Sequence, residues 1–144
     1  MNGLIVVDAW RNCERLDLDL YPYLEKETKL YGQYINHLLT LIRPNYKIIH
    51  NASNREIMHE IDTSRDLVIT HMDDTPVFDN YYFCGFHLGR CINNKIKELD
   101  RKNTGIVTNM SMVFPEDSYS SRQLRLHDTY MYSHAKGFEK YDHR

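Results

Sequence analysis

The chain has 144 residues, 42% of them hydrophobic and 26% charged, with a formal net charge of -2 at pH 7. That length closes a single core and that composition is globular, so one α/β-sized domain over 1–144 is expected. A near-neutral balance supplies no basic face for unspecific nucleic-acid binding, which excludes that class of partner from the expectation.

GLIVVDAW, residues 3–10, is a short β-branched run that ends in an acid, the pattern of a strand buried on both faces. A polar, tyrosine-rich connection follows. Its stretch 11–25, with Trp10, Tyr21 and Tyr23 near the ends, is a candidate lid. Tyr31, Tyr34, Ile35, Leu38, Leu39 and Ile42 then recur at helical spacing, and Pro44 ends that helix. YKIIHN (46–51) predicts a second strand. Ser53 followed by Glu56 has capping-box spacing and predicts a short helix through Ile61. DLVITH (66–71) predicts a third strand, with Asp73 and Asp74 just beyond it, and VFDNYYFCGF (77–86) contains a fourth. From Arg90 onward, Ile92, Ile96 and Leu99 share one helical face. GIVTNMSMVF (105–114) predicts a fifth strand. The spacing of Leu124, His127, Met131, Ala135 and Phe138 predicts a final helix from Ser118.

Strands alternating with helices imply an α/β fold, a three-layer Rossmann-like sandwich with a mostly parallel five-stranded sheet. The expected order is 3-2-1-4-5. In such sheets ligands bind beyond the carboxyl ends of the strands, where the order reverses. That point lies between strand 1, which ends at Asp8, and strand 4, which leads to Cys91.

Asp8 and Cys91 are therefore the candidate catalytic pair, predicted to face each other across one crevice. A cysteine in the first turn of a helix sits at the positive end of its dipole, which favours thiolate. His87 and Arg90 could add positive charge, with His71 as a further supporting group. Asp8 could take the thiol proton, and the amides after Gly89 could serve an oxyanion. Trp10, His50 and Asp73 are the candidate substrate-binding residues on the same rim.

Plainer roles stand beside these. Unpaired cysteine is among the most buried residue types, so Cys91 could be core and Cys84, inside an apolar strand, is read as packing. Asp8 could simply cap a loop. His71 and Asp73 lack a paired metal-ligand spacing, and GFHLG is not a dinucleotide fingerprint, so neither metal nor cofactor is expected. The three cysteines, at 13, 84 and 91, match neither a zinc ribbon nor a disulfide framework. Leu4 to Val7 is too short to span a bilayer or serve a secretory signal. A reduced, cytoplasmic protein with no membrane partner is the expectation. Eleven tyrosines suit pocket walls or the interface of a homo-oligomer.

LIVVDAWRN resembles the opening strand of the isochorismatase-like cysteine hydrolases, and GFHLGRCI resembles their nucleophile turn, with Gly85, Cys91 and Ile92 at the matching positions. The order of elements agrees along nearly the whole chain. What the resemblance implies is a Rossmann-like hydrolase of amide, carbamoyl or vinyl-ether substrates that uses an Asp–Lys–Cys triad. Asp8 and Cys91 match two of its members. The third has no match, since no lysine occurs between Lys47 and Lys95.

Two functions follow as expectations. One is a small cysteine hydrolase acting on a small-molecule, amide-like substrate through Cys91. The other is a catalytically inactive binding or oligomeric assembly module of the same fold.

Overall fold

Leu4, Ile5, Val6 and Val7 are each at most 1% exposed, so strand β1 (Asn2–Val7) is covered on both faces, as its unbroken apolar run requires. In this computed structural model, residues 1–7, 24–52, 57–88, 91–113 and 130–132 are described. Helix α1 (Leu24–Ile42) leads from β1 to β2 (Tyr46–Asn51), and β3 (Leu67–Ile69) follows. A 3-10 turn at Met72–Asp74 precedes β4 (Tyr81–Leu88). Helix α2 (Cys91–Leu99) then leads to β5 (Thr104–Val113), and β6 (Tyr130–Tyr132) closes the series.

The strands lie in the order β3-β2-β1-β4-β5-β6, and every pairing is parallel. Alternation along β1 splits the core in two. Leu4 and Val6 pack with Ile35, Leu38, Leu39 and Ile42 of α1, whereas Ile5 and Val7 pack with Ile92 and Leu99 of α2. Among the described residues, α1 therefore covers one face of the sheet and α2 the other.

Helix α1 stops where the sequence predicts. Arg43 N–H still donates to the Leu39 carbonyl, and Asn45 N–H closes a turn on Ile42 just after Pro44. Helix α2 ends in a left-handed residue, Asp100 (φ 49°), whose N–H donates to Ile96, a C-terminal cap that an aspartate tolerates.

Three expectations are corrected. Among the described residues the sheet has six strands rather than five, because Tyr130–Tyr132 pairs with Gly105–Val107 and extends the predicted order outward. That strand contains Met131, so no helix runs through Met131 as the spacing predicted. The backbone edge of β5 offers this segment a ladder, and its two tyrosines favour a strand over a helix. The other predicted members of that helix lie outside the described residues.

Nor does a helix from Ser53 reach Ile61. Residues 57–61 form a bridge and a turn, with Met58 and Ile61 buried in the α1-side core. This segment passes so near α1 that a Cβ on Gly32 would sit 3.1 Å from Glu60 Cβ and 3.1 Å from Met58 Sδ. Close crossing over a helical glycine fixes a turn, closed by the Ile61 N–H to the Met58 carbonyl, and the capping-box spacing loses to tertiary contact.

Candidate functional site

At the carboxyl edge of the sheet, Val7 pairs with Asn51 on one side and Gly85 on the other. Gly85 has φ +114°, and a Cβ there would lie 2.3 Å from the Val7 carbonyl oxygen. Only glycine fits this approach. The end of β1 and the middle of β4 are thus locked together.

The neighbouring strand is distorted at the same level. Phe83 pairs with Ile106 but Gly85 pairs with Ser111, so β5 bulges between Val107 and Met110. Ser111 Oγ donates to the Val107 carbonyl at 2.8 Å, and Tyr31 Oη on α1 donates to the Met110 carbonyl at 2.7 Å. The bulge is therefore satisfied by side chains on both of its sides. Burial pushes the Tyr31 phenol well above its ordinary pKa, with Cys84 and Tyr34 adding to the shift, so the hydroxyl stays a donor.

Cys91 is the first residue of α2 and is half-buried, packed against the α2-side core. No acidic residue lies in the first turn of α2, so the helix's own first turn leaves the positive end of its dipole in place beside Cys91. Cys84 contrasts with it. It is 0% exposed on the α1 side, and burial raises its thiol pKa far above the ordinary value.

The other sequence candidates are placed unevenly. Asp8, Trp10 and Arg90 lie outside the described residues, as does stretch 11–23 of the candidate lid. His87 is part of β4, which brings its backbone to the same edge as Gly85. His71 and Asp73 are exposed at the 3-10 turn beyond β3, and Met72 between them is buried against α2. That turn therefore rests on the helix that carries Cys91.

His50 does not line an open rim. It is 1% exposed, and its Nε2 lies 2.8 Å from Asp66 Oδ2. Arg43 grips the same carboxylate through Nε at 2.9 Å and Nη2 at 2.8 Å, and Nη2 also donates to the Asp62 carbonyl at 2.7 Å. Burial drives the Asp66 carboxyl up, but the hydrogen bonds from His50 and Arg43 outweigh it and hold it at about 2. The same contact raises Arg43.

This network was not singled out in the sequence. Asp66 reads as the first residue of a strand and Arg43 as a residue before a proline. A spacing rule has no means of joining partners 23 residues apart.

A second polar cluster fixes the opposite edge of the sheet. Arg101 Nη1 donates to the Pro76 carbonyl at 2.8 Å and to Tyr81 Oη at 2.9 Å, and Nη2 donates to the Thr75 carbonyl at 3.0 Å. Its guanidinium also lies 5.3 Å from the centre of the Tyr81 ring. This clamp ties the β3–β4 connection to the end of α2 and so sets the height at which the 3-10 turn meets that helix.

Among the described residues, no three His, Cys, Asp or Glu side chains gather as a metal site. No described helix is long and apolar enough to cross a membrane. Comparison of the chain with protein-family models, with curated proteins and with solved structures finds no match.

Proposed function

We propose that the chain is a small isochorismatase-like cysteine hydrolase of Rossmann-like three-layer form, in which the Cys91 thiolate attacks an amide-like carbonyl. The observation that carries this reading is the position of Cys91. It opens α2 beyond the strand paired with β1, at the point where the strand order reverses, and it is half-buried rather than sealed. The glycine lock at Val7 and the bulge in β5 flank the same edge, and bulges favour such edges.

The reaction balances without a redox partner. Asp8 takes the thiol proton, and the thiolate sulfur forms a bond to the carbonyl carbon. The tetrahedral oxyanion collapses, the C–N bond breaks, and the amine leaves with the proton that Asp8 returns. Water then cleaves the thioester to a carboxylic acid and restores the thiol. Amides at the start of α2 supply donors for the oxyanion. His87, Arg90 and His71 are the supporting groups in this scheme, with Trp10 and Asp73 as substrate contacts.

A second reading, an inactive binding module of the same fold, is favoured by one observation. The stretch between Lys47 and Lys95 contains no lysine to complete the triad that the resemblance implies.

Iodoacetamide labelling of the native protein, followed by turnover of simple aliphatic and aromatic amides, separates the two. Under the hydrolase reading Cys91 alkylates below the pH at which ordinary thiols react, and Cys91→Ala keeps the fold and abolishes turnover. Turnover that survives Cys91→Ala overturns the reading, as does a Cys91 that labels only after unfolding.

A further inference from the structure

Among the described residues β3 is the last strand at one end of the sheet, with β2 as its neighbour. Ala52 N–H donates to the Ile69 carbonyl at 3.0 Å, so Ile69, and Leu67 two residues before it, turn their backbone groups toward β2. Val68 lies between them and turns its N–H and C=O away from the sheet. Its side chain is 47% exposed, on the face that His50 shares, and Leu67 is 37% exposed on the other face. An outer strand with an outward backbone pair and uncovered apolar side chains on both faces fits one kind of occupant, another extended strand.

The charges at its ends say which strand. Arg65 is exposed before β3, and Asp73 and Asp74 are exposed after it. Antiparallel pairing of two copies brings each Arg65 toward the acidic turn of the other, whereas a parallel pairing would set like charges together. Asp62 is also exposed at the arginine end, where it accepts the Ser64 N–H at 3.0 Å and is already acted on by Arg43 and Arg65. It offsets part of the attraction, so the end charges favour the antiparallel pairing only modestly.

We infer that the outer edge of β3 is a self-association surface, where two copies pair antiparallel about a twofold axis through Val68. In such a pair the two Val68 residues exchange both of their outward backbone hydrogen bonds, and Leu67 of each copy covers Ile69 of the other. The two six-stranded sheets join into one, through an isologous contact that closes at two copies. The strand is short against the roughly 800 Å² per partner of a standard interface, so the dimer is reversible. The inference is independent of what Cys91 does.

Sedimentation velocity of the full chain over a wide dilution series tests it. The expected result is a monomer–dimer equilibrium that shifts toward monomer in high salt, because the end charges are exposed. Val68→Pro deletes the outward N–H without touching the ladder to β2, and Val68→Arg sets like charges across the axis. Both are expected to be monomeric with unchanged far-UV circular dichroism. A Val68→Cys chain gives an independent reading. Paired Cα atoms in such a ladder lie about 5.5 Å apart, within disulfide reach, so mild oxidation should link two chains through position 68. A wild-type chain that stays monomeric throughout overturns the inference, and so does an oxidised Val68→Cys chain with no link at that position.

Discussion

Val7 and Gly85 face each other at the carboxyl edge of the sheet, so closely that the space for a Cβ on Gly85 is already occupied by the Val7 carbonyl oxygen, 2.3 Å away. Gly85 also has φ +114°, a backbone conformation that L side chains rarely adopt. Steric overlap with backbone cannot be relieved by a rotamer change. Gly85→Ala is therefore expected to lower stability by about 3 kcal/mol, combining local strain and overpacking. Urea unfolding measures this directly, and a loss under about 1 kcal/mol would mean that β1 yields easily. Because Asp8 follows Val7 in the chain, the same variant should also change the rate at which Cys91 is alkylated.

The buried ion network makes the acid limb of stability predictable. Asp66 titrates at about 2 in the folded chain, below its ordinary 3.8. A depressed folded pKa adds stability that is fully present above the unfolded value and is lost as pH falls through the folded one. About 2 kcal/mol should therefore disappear as the pH drops from about 4 to about 2. Asp66→Asn should remove that portion of the acid limb. At neutral pH it should also cost about 3 kcal/mol, because Arg43 and His50 lose the carboxylate they share. Urea midpoints measured across the acid range for both proteins check the slope and the offset. Parallel acid limbs would show that Asp66 is not the group responsible.

The parts legible in the sequence were those fixed by local pattern. YKIIHN is a strand over the predicted residues 46–51, and the stripe from Tyr31 to Ile42 is the inner face of α1. The order of the first five strands was legible too, because short alternating elements leave few right-handed arrangements. What was not legible depended on contacts between distant segments. Residues 57–61 follow α1 at Gly32 rather than their own helical signal. His50 lies near the end of a strand and so reads as a rim residue, yet Asp66, sixteen positions on, draws it into the interior. Of the candidate site, Cys91 sits at the predicted helix start, while the steric reason for Gly85 emerges only when β1 lies beside β4.

Arg101 should not be replaceable by lysine. Its guanidinium reaches the carbonyls of Thr75 and Pro76 and the Tyr81 hydroxyl at once, while stacking toward the Tyr81 ring. A lysine ammonium supplies charge but not a planar fork with fixed divergent donors. Arg101→Ala is expected to cost about 2 kcal/mol, with Arg101→Lys recovering less than half of it. Hydrogen exchange should show the loss concentrated in residues 72–80, the connection that the clamp holds. Full recovery by lysine would mean that charge alone matters there.

Tyr31 links α1 to the bulge of β5, and the consequences of that link can be separated from packing. Tyr31→Phe keeps the ring and removes only the hydroxyl that donates to the Met110 carbonyl. The carbonyl then loses a neutral donor in a region where Met110 is 0% exposed, a cost of about 1–2 kcal/mol. Ser111 Oγ cannot compensate, because it donates to Val107 at the other end of the bulge. Faster amide exchange should therefore appear around 107–111, with the β1–β2 ladder unchanged. If Tyr31→Phe left both stability and that exchange unaltered, the bulge would be held by β4 alone, and α1 would play no part in shaping the edge beside Gly85.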